Sequence, residues 1–381
     1  MEFDYTEEQR ALQDTLQKFI ARDYDFERRR GFARSAAGYS PAAWAQYADL
    51  GLLSLPFPEA YGGLNGRGTD IMVVMEQFGQ GLLLEPYLGT VVTCGGMIRD
   101  SASDAQKERL LPRIGAGSVQ IALAAYEAAG RYDLAHVACK AETQGNGWRL
   151  SGRKSVVVDG ASAQYFLVSA RSAGKNGERE GISVFLVPRE APGVILSAYP
   201  TQSGGRAADL QLQDVMLEDD ALIGVAGRGL PIVERAVDHA CAALCAEAVG
   251  IMTALNQATL NYLKTRKQFG VAIGTFQALK HRMADMLMAA EQSRSMAIIA
   301  AVNADSADAA QRRRAVSAAK AYIGEAGRLV GQEAVQMHGG MGVVDDLIVS
   351  HYFKRLTMIN LTCGDADFHL AYFSDTLLPA A

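Results

Sequence analysis

Residues 266–277 (RKQFGVAIGTFQ) and residues 336–342 (QMHGGMG) carry the reading of this chain. In the first stretch Arg266 offers a planar fork of donors matched to a pyrophosphate, Phe269 an apolar face and Gln277 an amide partner. In the second, Gly339, Gly340 and Gly342 let backbone approach a ligand where a side chain would intrude. Singly, an arginine before an aromatic reads as a surface residue packed on its own stem, and GGxG as a turn. Here the two occur in order within a helical half, with a helix-length segment between them.

Outward from this half the period changes. From Thr6 to about Gly115, apolar residues recur three and four apart in EEQRALQDTLQKFI and TDIMVVMEQFGQGL, which predicts helices. A proline- and glycine-bearing loop, LSLPFPEAYGGLNG, separates them. From about Ser118 to Ile223 the period falls to two. VQIALAAY, AHVACKAE, WRLSG, KSVVVDG, QYFLVSAR, ISVFLVP and LQLQDVML predict six or more short strands in an antiparallel β-domain. Helices return after Gly229 at residues 230–265, 276–303 and 306–337, followed by two shorter ones. The fold class is therefore α+β, with domains at 1–116 (helical), 117–224 (β) and 225–381 (helical bundle).

A length of 381 residues suits two or three domains with ample core. A net charge of −5 argues against bulk binding to nucleic acid. The five cysteines form neither a disulfide framework nor a metal site, and a reducing cytoplasm is the expected setting. The start, MEFDYTEEQRAL, is acidic and amphipathic rather than a signal for export. The longest apolar run, residues 240–255, reads as a core helix too short to span a bilayer. The basic runs at residues 28–30 and 312–314 read as solvated helix faces, the first able to meet a ligand phosphate. His338 reads as a packing or capping residue.

The two signatures, the loop at residues 53–66 and the three-part layout together resemble the acyl-CoA dehydrogenase family across essentially the whole chain. ALCAEAVG and GDADFH resemble its branch acting on steroid side chains or on dicarboxylyl esters of the pimeloyl-CoA type, whose subunits often work as two unlike chains. The resemblance implies FAD, an acyl-CoA substrate, a homo- or hetero-oligomer with flavin sites at subunit interfaces, and an electron-transferring flavoprotein as acceptor. It assigns Arg266, Phe269, Gln277, Gln336, Gly339, Gly340 and Asp365 to the flavin. The family's loop reading roughly TEPxAGSD corresponds to YEAAGRYD, residues 126–133, and its strand reading WITNG to VVVDG, residues 156–160. Tyr126, Tyr132 and Val158 replace hydroxyl-bearing residues. Contacts to the flavin ring are therefore expected from backbone at Leu123, Ala125 and Val158, beside Tyr126 and Val156.

Dehydrogenation of an acyl-CoA removes an α-proton and a β-hydride, so a carboxylate is needed beside the flavin. The family's usual glutamate falls on Cys363, and the alternative position on the long C-terminal-domain helix falls on Ala240. Both are empty. Glu247 lies seven residues beyond Ala240, within roughly 20° of the same helix face and about 10 Å along it. With no cation within four residues, Glu247 is expected to be a buried carboxylate of raised pKa and the catalytic base, the other reading being a core glutamate hydrogen-bonded to a neighbouring helix or paired with a distant arginine. Asp238, Tyr132 and Cys363 are the expected substrate contacts, with the Cys363 N–H as a donor to the thioester oxygen. Two other readings stand beside this one: a flavin monooxygenase on the same fold, and the base-less, accessory half of a heteromer.

Overall fold

The structure, a computed structural model, describes residues 5–377. The helices α1 (Glu7–Asp23), α2 (Phe26–Arg34), α3 (Pro41–Asp49) and α4 (Gly68–Gly81) are followed by a π-helical segment, Leu88–Gly95, then α5 (Gly96–Ser101) and α6 (Asp104–Gly115). The strands are β1 (Ile121–Ala124), β2 (Lys140–Gln144), β3 (Gly147–Val158), β4 (Tyr165–Arg171), β5 (Ile182–Pro188), β6 (Val194–Pro200), β7 (Arg206–Glu218) and β8 (Leu222–Ile223). After them come α7 (Leu230–Thr265), a hairpin of β9 (Lys267–Gln268) and β10 (Val271–Ala272), and α8 (Gln277–Ala304), α9 (Ala309–His338), α10 (Ile348–Leu361) and α11 (Ala366–Asp375). The expected α+β class and helix–strand–helix order are present.

The chain forms two compact units that cut across the boundaries drawn from sequence. One unites Met1–Arg30, Gly68–Leu83 and Cys241–Ala381; the other unites Gly31–Arg67 and Leu84–Ala240. Helices α1 and α4 therefore belong with the C-terminal helices, for a packing reason visible at α4 and α7. Each carries a Glu-x-x-Gly, Glu76 to Gly79 and Glu247 to Gly250. A Cβ on Gly79 would lie 2.1 Å from the Glu247 carbonyl oxygen, and one on Gly250 would lie 1.9 Å from that of Glu76. The helices thus cross backbone to backbone through reciprocal glycines. At its start α4 meets α8 in the same way, with Gly68 against the Ala301 carbonyl. Helix α8 buries Ala289, Ala290, Ser293, Ala297, Ala300, Ala301 and Ala304, a face of small side chains that permits such approach.

Helix α7 is long and apolar enough to cross a bilayer by length and composition, more so than its apolar run suggested, but that stretch is largely buried inside the protein. Arg29 and Arg312, expected in solvent, are also buried. Arg29 donates to the Leu82 carbonyl at 2.8 Å and Arg312 to that of Ser306 at 2.8 Å. Each arginine satisfies a carbonyl that burial would otherwise strand.

In the second unit the strands form one sheet in the order β6-β7-β3-β2-β4-β5-β8, with β1 on β4. The pairing is antiparallel except at β4, which runs parallel both to β1, Ile121 opposite Tyr165, and to β2, Lys140 opposite Arg171. WRLSG and KSVVVDG, read as two strands, are one long β3 with register shifts between Leu150/Gly152 and Lys154/Val157. The strand β6 was missed, because it packs few of its side chains. Thr90 fixes the π-helical segment to β1, its hydroxyl donating to the Ile121 carbonyl and accepting from the Ile121 N–H, both at 3.2 Å.

Replacing Gly250 with alanine forces a methyl group onto the Glu76 carbonyl. The expected result is a loss of more than about 2 kcal/mol, the scale of overpacking a tight core. It is read as a lowered urea midpoint at unchanged m-value, with Gly31→Ala, at an exposed helical glycine with nothing near its Cβ, showing no such loss.

Candidate active site

The Glu247 carboxylate is buried, as its sequence neighbourhood required, but it is not alone. Arg355 of α10 grips it with two parallel hydrogen bonds, Nε to Oε1 at 2.5 Å and Nη2 to Oε2 at 2.6 Å. The cation is a distant one, the second of the two readings that the sequence leaves for Glu247: the partner lies 108 residues away. A carboxylate held in a bidentate fork has both oxygens committed to the arginine, so it is poorly placed to take a proton. The reciprocal glutamate shows the same arrangement. Glu76 accepts from Arg294 of α8 at 2.6 Å and from the Tyr5 hydroxyl at 3.0 Å. Glu247 and Glu76 are thus two copies of one structural device, a helix-crossing glutamate neutralised from a third helix.

The arginine-bearing signature forms the β9–β10 hairpin, in which Val271 pairs with Gln268 and Ala272 with Lys267. Phe269 and Gly270 form its two-residue tip at φ +53° and +80°. Both positive values are what a tight hairpin of this hand requires, and for a phenylalanine this is a strained conformation. Phe269 stands 91% exposed, with Phe276 packed edge-on at 6.1 Å. Arg266, Gln277 and Gln336 are also exposed, and among the described residues their side chains have no hydrogen-bond partner. Gly339, at φ +59°, ends α9. A Cβ on Gly339 or Gly340 would meet nothing, whereas one on Gly342 would lie 2.4 Å from the Val335 carbonyl. The first two glycines leave space for a ligand and the third closes the turn. His338 packs as expected, stacked on Tyr262 at 4.4 Å with Nδ1 2.8 Å from the Ala334 carbonyl oxygen.

In the β-unit, the loop at residues 126–133 is anchored by a buried ion pair that sequence reading did not pick out. Lys154 is fully buried and donates to Glu127 at 2.8 Å. Glu127 also accepts the Ala138 and Cys139 N–H groups, at 2.8 and 3.0 Å. The signal was present: Lys154 follows Trp148 and Leu150 at even spacing on β3, so alternation turns it inward. Ala125 is buried, and its carbonyl lies 3.4 Å from Lys154 Nζ. The Val156 N–H donates to Asp209 at 3.0 Å. Val156 and Val158 instead expose apolar side chains on one face of β3, Leu123 is half-buried on β1, and the Tyr126 carbonyl accepts from the Ser155 N–H at 2.9 Å. Tyr132 is half-exposed beside Arg131, and Asp238 is buried in the first part of α7.

Cys363 sits in the turn between α10 and α11, in left-handed backbone at φ +63°. Buried Lys320 holds this turn, donating to the carbonyls of Gly364 at 2.7 Å, Ile359 at 2.8 Å and Asn360 at 3.1 Å. His369 lies below, with Nδ1 3.1 Å from Ser317 Oγ and Nε2 3.1 Å from the Cys363 carbonyl oxygen. Asp365 caps α11 by accepting the Phe368 N–H at 2.9 Å, so that oxygen serves the helix.

Sequence models of the acyl-CoA dehydrogenase N-terminal, middle and C-terminal domains match residues 6–118, 122–219 and 227–378. A curated relative, the probable acyl-CoA dehydrogenase YngJ of Bacillus subtilis, is 25% identical over 99% of this chain and 100% of its own length. Among solved structures, a variant of the Tcur3481–Tcur3483 steroid ACAD is 30% identical with a TM-score of 0.87, covering 97% of this chain and 98% of that one. The ChsE4–ChsE5 complex from Mycobacterium tuberculosis is 26% identical with a TM-score of 0.90, each chain covered completely.

Removing one partner of the buried Glu247–Arg355 pair leaves a stranded charge. Arg355→Leu is expected to cost about 3 kcal/mol; chemical denaturation checks this, and the double variant with Glu247→Leu should recover part of the loss. A second outcome concerns acid. Burial, then Lys320 and Arg313, push the His369 imidazole down from 6.5 to about 3. Its folded-state pKa lies below the unfolded one, so this contribution is complete above pH 6.5 and is withdrawn as pH falls toward 3. Urea midpoints measured from pH 7 to 4 should fall, and less steeply for His369→Gln.

Proposed function

We propose, from the premise that the chain belongs to the acyl-CoA dehydrogenase family, that it is the base-less subunit of a two-component acyl-CoA dehydrogenase. It is an oxidoreductase of the kind that acts on acyl-CoA, and its cofactor is FAD. The observation that carries the finer reading is the Glu247–Arg355 fork. The family's two base positions hold Cys363 and Ala240, and the one nearby carboxylate is committed to an arginine. An unlike partner chain would then supply the base. Resemblance to the steroid ACAD favours a ring-bearing acyl group.

The surfaces present fit the cofactor. The free guanidinium of Arg266 suits a diphosphate, Gln277 and Gln336 offer amides, and the open space at Gly339 and Gly340 admits a close ligand. Val156 and Val158 give an apolar wall for a planar ring. When bound, FAD supplies the hydride acceptor of the reaction. The strained, exposed Phe269 tip is the part of this surface in greatest need of cover, and on this reading a neighbouring subunit provides it. The chain's own contribution beside the substrate is the Cys363 N–H, aimed at the thioester oxygen from a turn clamped by Lys320. Cytoplasmic location and electron transfer to an electron-transferring flavoprotein complete the proposal.

The test is anaerobic flavin reduction by a steroid-side-chain CoA ester in the complex of this chain with its partner. Glu247→Gln is expected to reduce its flavin at a rate close to that of the unmodified complex, and the chain without a partner should not bleach flavin with any ester. A fall of about 100-fold or more in the folded variant, the scale of losing a general base, would return the base to Glu247.

A further inference from the structure

We propose that Cys241 and Cys363 form a peroxide-sensitive thiol pair, which oxidation converts to an intramolecular disulfide tying the α10–α11 turn to α7. The two residues are 122 positions apart, yet the Cys241 thiol donates to the Cys363 carbonyl at 3.7 Å and lies 3.9 Å from His369 Nε2. The thiols also hydrogen-bond each other, and this bond, more than burial, holds the Cys241 proton in place. Cys241 is buried, whereas Cys363 is half-exposed and so is the sulfur that a small oxidant reaches. The geometry suits an attacking and a resolving thiol: the accessible sulfur of Cys363 meets the oxidant, and the buried Cys241 sulfur lies beside the same residue.

The surroundings support the same division. The Lys320 ammonium lies beneath the turn, and its charge opposes the upward push of burial on the Cys241 thiol that resolves the intermediate. His369 is held neutral by burial and by that lysine, so it leaves the thiols without a fixed imidazolium counter-charge. The left-handed backbone at Cys363 is fixed from below by three carbonyl contacts to Lys320, so the turn presents its sulfur without rearrangement. Cys245, one helical turn beyond Cys241, is fully buried with its thiol pushed up to about 12, and it is the one other cysteine close enough to compete.

Hydrogen peroxide, which reduced flavins yield with dioxygen, is the oxidant. The Cys363 thiolate attacks one peroxide oxygen; the O–O bond breaks, hydroxide leaves, and sulfenic acid remains. Cys241 sulfur then attacks that sulfur, the S–O bond breaks, and the thiol proton leaves with the hydroxyl group as water. Two electrons pass from the sulfur pair to peroxide. This goes beyond the proposed function and does not depend on which subunit holds the base.

The test treats the full-length chain, in complex with its partner subunit, with hydrogen peroxide, then blocks remaining thiols and maps peptides without reductant. A cross-link between the Cys241 and Cys363 peptides is expected, lighter by two hydrogens and reversed by dithiothreitol. It should persist in Cys245→Ala. In Cys241→Ser the sulfenic acid at Cys363 should instead be captured by dimedone. Free thiols in this chain should fall from five to three. No cross-link, a cross-link through Cys245, or over-oxidation of Cys363 with Cys241 still alkylatable would each overturn the proposal. Because the main readout uses the unmodified chain, a variant that fails to fold does not decide it.

Discussion

The contact on which the first compact unit depends is the crossing of α4 and α7 at Gly79 and Gly250. Two helices can approach this closely only where neither carries a side chain, and each glycine here faces the carbonyl of the other helix's glutamate. The crossing buries Glu76 and Glu247. Each must then be neutralised, and arginines from α8 and α10 do so. One steric choice therefore fixes the orientation of four helices: two by backbone contact and two by the charge they deliver.

The β-unit applies the same rule. Lys154 is placed inside by strand alternation, Glu127 answers it, and the loop carrying Glu127 is fixed as a consequence. Lys320 is buried without a carboxylate and is satisfied by three carbonyls, which fixes the Cys363 turn. In each case a buried charge is costly alone and directional once partnered, so it specifies geometry more than it adds stability. The same logic describes Glu247, whose two oxygens each accept a hydrogen bond from Arg355.

The features that remain uncommitted lie at the surface. Arg266, Gln277 and Gln336 spend no donors internally, Gly339 and Gly340 face open space, and Phe269 is held in a strained turn with its ring in solvent. The combination of planar cation, amides, bare backbone and aromatic face is chemistry suited to a large, anionic, partly planar ligand such as FAD.

Local sequence determined the helices, most of the strands and the two signature turns, because periodicity, glycine and chain-reversal chemistry act over a few residues. It also showed that the usual base positions hold Cys363 and Ala240. It missed β6, whose side chains pack little, and the parallel pairing of β1, which is a matter of topology. Glu247 was legible as buried, with a distant arginine as one reading of it, but not which arginine, since the cation lies in α10. Lys154 could have been found from its inward register on β3; Arg355 could not. Which groups are charged and buried is written along the chain. Which of them are left free to do chemistry is decided only when distant segments pack, because a salt bridge depends on distance in space and not on separation in sequence.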